Sequence, residues 1–199
     1  SSDLENPGHT ISEKSVGETF QRYFASAKGR IIIATFASNI HRIQQVIDQA
    51  KKFNRKVCLS GRSMIRIAGV ATELGYLDLP EKMVISMDEV DSVRDNKVVI
   101  ITTGSQGEPM SGLVRMAAGE HAKLKIKKND LVIISATPIP GNEKFVSDVI
   151  SSLYRRGAEV IYAALEHVHV SGHACQEELK LMLALTKPKY FVPVHGEYR

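Results

Sequence analysis

Tryptophan is absent from the 199 residues, and aromatic residues make up only 6% of the chain. Core volume must therefore come from Ile, Val, Leu, Met and Ala. Cysteine is nearly absent too. Cys58 and Cys175 are too few for a disulfide framework, so free thiols in a reducing cytoplasm are the simpler reading. No apolar run reaches the roughly 18 residues that a membrane span needs, and the opening residues do not read as a signal peptide. There is no strong excess of one charge: 26 Lys and Arg face 22 Asp and Glu, and the net charge of +4 permits an anionic partner without demanding one. Internal repeats and low-complexity tracts are also missing. The loop-like opening Ser1–Gly8 starts on Ser, and we expect a piece of a longer protein.

What is present is a 43% hydrophobic chain, enough to bury one sizeable core. Short β-branched runs alternate with amphipathic stretches. Strands are expected at Ile31–Phe36, Val57–Leu59, Met83–Ile85, Lys97–Thr103, Leu131–Ser135, Val160–Ala163 and Tyr190–Pro193. Helices are expected after Ser12, after Ser38 or Asn39, around Met64–Val70, at Leu113–Ala118, from about Asn142 to Arg156 and at Glu177–Leu185. Continuous apolar strands separated by helices predict an α/β fold: a Rossmann-like, doubly wound, mostly parallel sheet with helices on both faces. Ligands in such sheets sit beyond the carboxyl ends of the strands.

Several unusual segments fall at those ends. Ser38-Asn39 fits either a phosphate site at a helix start or simple capping. The run Thr102–Ser111 is neither a dinucleotide fingerprint nor a phosphate-binding P-loop, so structural turn and ligand loop both fit. Arg62 and Arg66, one turn apart, fit either a nucleic-acid backbone or a solvated helix face. The basic stretch Lys123–Lys128 reads as solvated surface. Histidine is the densest signal. Four of the seven histidines lie in the last thirty-odd residues, at His167, His169, His173 and His195. Imidazole can bind a transition metal, shuttle a proton or hold a phosphate near neutral pH. In a strand His167 and His169 would share a face, and Ser171-Gly172 allows a turn before His173. These residues do not form a familiar self-contained metal cluster.

Three segments carry a family resemblance: Ser171-Gly172-His173-Ala174, the run Pro193–Arg199, and Thr103–Ser111. With Pro7–Gly17 and Phe36–Arg42 they make the chain, over essentially its whole length, resemble bacterial ribonuclease J of the β-CASP branch of the metallo-β-lactamase superfamily. The resemblance implies a 5′-to-3′ exoribonuclease and endoribonuclease of RNA maturation and decay. It implies a preference for single-stranded RNA with a 5′-monophosphate, and two zinc ions that activate water. It makes residues 1–199 a single β-CASP domain fragment, with roughly 1–12 and 164–199 as flanks leading back to the metallo-β-lactamase domain. His173 matches a motif histidine near the scissile phosphate, acting either in transition-state stabilisation or in proton transfer. His195 matches a zinc ligand. His169, Val170, Ser171, Gly172 and His173 match a substrate-phosphate segment, and Ser38, Asn39 and Ile40 match a stretch lining the nucleotide pocket.

The departures shape the expectation. The lactamase signature H-x-H-x-D-H is nowhere in the sequence, and the acidic residue of the first β-CASP motif would fall just before Ser1. His195 alone cannot hold a catalytic zinc ion, so the fragment is expected to be inert and to bind no zinc stably. The resemblance further implies a cytoplasmic protein with no membrane partner, joined to its own lactamase domain and forming a homo-oligomer or pairing with a paralogue. Two other readings stay open: a non-catalytic nucleotide- or RNA-binding α/β module, and a degenerate paralogue serving as a partner subunit.

Overall fold

Alternation along the strands decides how the chain layers. The computed structural model describes residues 6–192. Its five strands are β1 (Ile31–Ala34), β2 (Lys56–Ser60), β3 (Val98–Thr102), β4 (Leu131–Ile134) and β5 (Glu159–Tyr162), all parallel, in the order β2-β3-β1-β4-β5. Ile31, Ile33, Val99, Ile101 and Ile133 face one layer, which holds α1 (Lys14–Ser26), α2 (Ile40–Lys52) and α3 (Arg62–Glu73). Ile32, Ile100, Val132 and Val160 face the other, which holds α4 (Gly112–Ala118) and α5 (Glu143–Arg155). A last helix, α6 (Gln176–Thr186), buries none of its residues. The doubly wound α/β fold expected from the sequence is the one observed.

Strands covered on both faces need apolar residues at every position, which is why they read as unbroken runs. Helix α2 starts where expected, with the Asn39 side chain accepting the Arg42 N–H at 3.1 Å. Helix α1 starts one residue later than the Ser12 cap would place it, although the Ser12 hydroxyl still accepts the Lys14 N–H. Other expectations need correction. Met83–Ile85 contributes only an isolated bridge, Val57 to Val84, amid three 3₁₀ turns at Glu81–Met83, Met87–Ser92 and Asp95–Lys97. Here the chain only touches the edge of β2 on its way from the α3 layer to the opposite one, where Val90 is buried. Residues 190–192 are irregular and exposed rather than a strand, and Pro193 lies outside the described residues.

At the amino ends of the strands a buried fork fixes the sheet. Arg30 donates from Nε and Nη2 to Asp130 at 2.9 and 2.6 Å, and from Nη2 to the Lys125 carbonyl at 2.7 Å. The basic loop beside it is occupied as well: Lys123 pairs with Asp88 at 2.7 Å, and Lys127 pairs with Asp91 and Asp95 at 2.9 and 3.3 Å. Leu124 and Ile126 alternate inward. With two of its lysines paired to acidic 3₁₀ residues, this loop is a surface tether.

Candidate functional site

Because all strands are parallel, the segments that follow them gather at one edge. Ser38 is exposed there, and Asn39 and Ile40 are half-buried. The backbone N–H groups of Asn39 and Ile40 are engaged within the turn, to Phe36 and Ser38 carbonyls at 3.0 Å each. The capping role of Asn39 is thus realised, and the Ser38 hydroxyl is the exposed polar group of the turn. A groove with a volume of about 720 Å³ opens beside it, lined by Ser38–His41, by Arg66, Ile67 and Val70 of α3, and by Leu74 and Tyr76 just after it. Its walls are mainly apolar, with Arg66 as the cation. Arg62 lies outside its lining.

The loop after β3 has a structural explanation. Gln106 is buried. Its Nε2 donates to the Thr137 carbonyl at 2.9 Å, and its Oε1 accepts the Ile139 N–H at 2.7 Å. It thereby ties together the loops that leave β3 and β4, the two neighbours of β1. Gly107 has φ +70°, and a Cβ there would stand 2.8 Å from the Phe145 carbonyl carbon. Tight packing therefore accounts for that glycine of the run Thr102–Ser111.

The segment after β5 carries the histidines. Residues 167–170 form no strand, so His167 and His169 do not share a sheet face; His167 is exposed and His169 half-buried. Val168 between them is fully buried. Ser171 accepts the His173 N–H at 3.1 Å, which sets the turn through Gly172. His173 and Gly172 are both exposed. The Thr10 hydroxyl donates to Glu178 at 2.5 Å and lies 3.3 Å from the His173 carbonyl. Upstream, Arg22 and Tyr23 of α1 donate to Glu166 at 2.7 and 3.3 Å.

The strongest tether lies at Val168. Its carbonyl accepts from Arg42 Nη1 at 2.6 Å and from the Ser135 hydroxyl at 2.5 Å, while Arg42 Nη1 also donates to Ser135 Oγ. Arg42 Nη2 grips Glu13 at 3.0 and 2.8 Å. Burial lowers the pKa of the Arg42 guanidinium, and Glu13 acts in the opposite direction. Arg42 thus links Asn39, through its backbone N–H, to Val168, the residue just before the expected stretch 169–173, although the groove beside Ser38 is lined by none of residues 167–173. Sequence reasoning missed Arg42, Thr10 and Glu166 as parts of this edge. One signal was available for Arg42: it lies four residues before Val46 and beside Ile43, on the apolar face of α2. Among the described residues no group of three or more His, Cys, Asp and Glu side chains could hold a metal ion. They do not fit a catalytic metal centre, and His195 lies outside them.

Fold and edge together define a doubly wound α/β domain with an accessible histidine turn and an open groove at the carboxyl ends of its strands. Residues 28–153 match the family model "Ribonuclease J, beta-CASP domain", and residues 158–199 match the model "Zn-dependent metallo-hydrolase RNA specificity domain". The chain belongs to the ribonuclease J family through its β-CASP domain. It is 52% identical over 198 residues to a Helicobacter pylori protein named Ribonuclease J, covering 100% of this chain and 29% of that protein. It is 50% identical over 197 residues to Ribonuclease J of Thermus thermophilus, covering 99% of this chain and 34% of that protein. It is 46% identical over 199 residues to Ribonuclease J2 of Bacillus subtilis, covering 100% of this chain and 36% of that protein. The chain spans about a third of the length of the curated relatives it matches. No helix among the described residues is long and apolar enough to cross a membrane.

Proposed function

We propose that this chain is the RNA-gripping part of a zinc-dependent ribonuclease, an exonuclease working 5′ to 3′ that also cuts internally. The observation that carries the reading is the identity, across the whole chain, to relatives named Ribonuclease J. The geometry is compatible with it: an exposed imidazole on a turn that is tethered from both sides can meet a phosphodiester. In this reading His173 acts on the scissile phosphate. Ser38, Asn39 and Ile40 line the nucleotide pocket, and residues 169–173 receive a phosphate. Contacts of this kind position a strand without reading its bases. Single-stranded RNA with a 5′-monophosphate is the proposed substrate.

Two zinc ions would belong to the complete enzyme and supply the activated water. His195 would be one ligand, and most of the others would lie on the lactamase domain. Residues 1–12 and 164–199 would lead to that domain, and the bare surface of α6 supports such a contact. Leu181, Met182 and Leu185 are exposed by 54–73%, more apolar surface than a lone helix normally leaves in water. The same reading makes the protein cytoplasmic and, at full length, a homo-oligomer or the partner of a paralogue.

The test is H173A in the full-length protein. Turnover of a 5′-monophosphorylated RNA should fall roughly 100- to 10,000-fold, with an unchanged thermal transition. Near-normal cleavage would refute the role. The pH profile separates the two chemical options: loss of one limb in H173A marks proton transfer, and an unchanged shape marks transition-state stabilisation.

A further inference from the structure

The guanidinium of Arg42 touches three stretches far apart in sequence: Glu13 at the start of α1, Ser135 just after β4, and Val168 in the segment before the histidine turn. It is fully buried and lies 6.0 Å from the centre of the Phe20 ring. Its carboxylate partner Glu13 is 47% exposed, so the ion pair lies at the rim of the interior while the guanidinium is held inside it. Direction is what the fork provides. A carbonyl that accepts from two donors on two different elements is fixed in orientation as well as in place, and the Val168 carbonyl accepts from both Arg42 and Ser135. The Val168 side chain is fully buried as well, which anchors the residue by packing in addition to its carbonyl bonds. Five residues on stands His173, its own carbonyl 3.3 Å from the Thr10 hydroxyl.

We propose that Arg42, together with Ser135, is a positioning residue for the segment 169–173 and sets where His173 meets the RNA phosphate; this rests on the role of His173 given above. Through Glu13 the same guanidinium couples that position to the start of α1.

The experiment is a double-mutant cycle in the full-length protein, with R42Q, S135A and H173A alone and combined, read as kcat and KM on a 5′-monophosphorylated RNA. Amide hydrogen exchange of residues 167–173 is followed in parallel. R42Q should lower kcat by about 100-fold, the cost of a misplaced reacting group, and S135A should lower it less. In the H173A background R42Q should cost less than about threefold, because both changes disable one unit. Exchange should quicken in residues 167–173 while β1 and β3 keep their protection. Equal factors with and without His173 would make Arg42 a simple fold staple and overturn the proposal. Should R42Q fail to fold, S135A decides by the same two readouts. If H173A itself cleaves normally, it is the catalytic reading that fails. The Arg42 proposal then stands or falls on exchange alone, and unchanged protection of residues 167–173 in the folded variants overturns it.

Discussion

Gly172 is a glycine that the fold does not require. Its φ lies outside the left-handed region, and a Cβ built there meets nothing within 4 Å. Backbone freedom and internal packing, the two ordinary reasons for glycine, are both missing among the described residues. In the proposed reading, a phosphate resting on this turn supplies a reason from outside. The expected outcome for G172A follows. Stability should stay within about 0.5 kcal/mol of the parent in urea unfolding, as for a neutral surface change. KM for a 5′-monophosphorylated RNA should rise at the same time. An unchanged KM would mean that no substrate comes close to Cα here. Cys58 marks the opposite extreme: burial pushes its thiol up to about 11, so it is an inert part of the core.

Among the elements, the loop after β3 behaves in the opposite way to the histidine turn. Gly107 needs φ +70° and has the Phe145 backbone 2.8–3.0 Å from where a Cβ would stand. G107A should therefore destabilise the protein by about 1–3 kcal/mol from backbone strain alone, with a further cost from overpacking. Chemical denaturation measures it, and a neutral result would show that this loop is not held as Gln106 holds it. The contrast explains what the sequence discloses. The strands were legible because a sheet buried on both faces leaves no polar position in Ile31–Ile33 or Leu131–Ile134. The start of α2 was legible because capping is a local bond between Asn39 and Arg42. The stretch 81–97 was not, since short 3₁₀ turns carry no 3.6-residue period. The histidine turn could be marked but not built. What orients it, the bonds of Arg42 and Ser135 to Val168, crosses 126 and 33 positions, and no pattern of neighbouring residues encodes a contact of that span.

For the whole molecule, the decisive feature is that its two flanks are sewn together. The amide groups of Gln176 and Glu177 donate to Asn6 and Gly8 carbonyls at 3.2 Å, and Glu178 accepts from the Thr10 hydroxyl and amide and from the Cys175 amide. The Thr10 hydroxyl leads, with the Cys175 and Thr10 amides behind it, in holding the Glu178 carboxyl below the ordinary glutamate value. A carboxyl depressed in the folded state contributes stability above its unfolded pKa, roughly 4.3, and loses that contribution as pH falls through the depressed value. Acid should therefore loosen the joint between residues 6–10 and the start of α6 while the sheet, which depends on apolar burial, still holds. Amide exchange corrected for its intrinsic pH dependence would show protection at Thr10 and Cys175 fading as pH falls through the depressed Glu178 pKa, below the ordinary glutamate value, with β1 and β3 unaffected. In E178Q the same two amides should be weakly protected at neutral pH and show no acid transition, because the charge that strengthens both bonds is gone. Protection that stays flat as the glutamate carboxyls are protonated in the parent protein would leave the flanks held by something other than Glu178. A transition shared with β1 would mean that the joint and the sheet open as one unit.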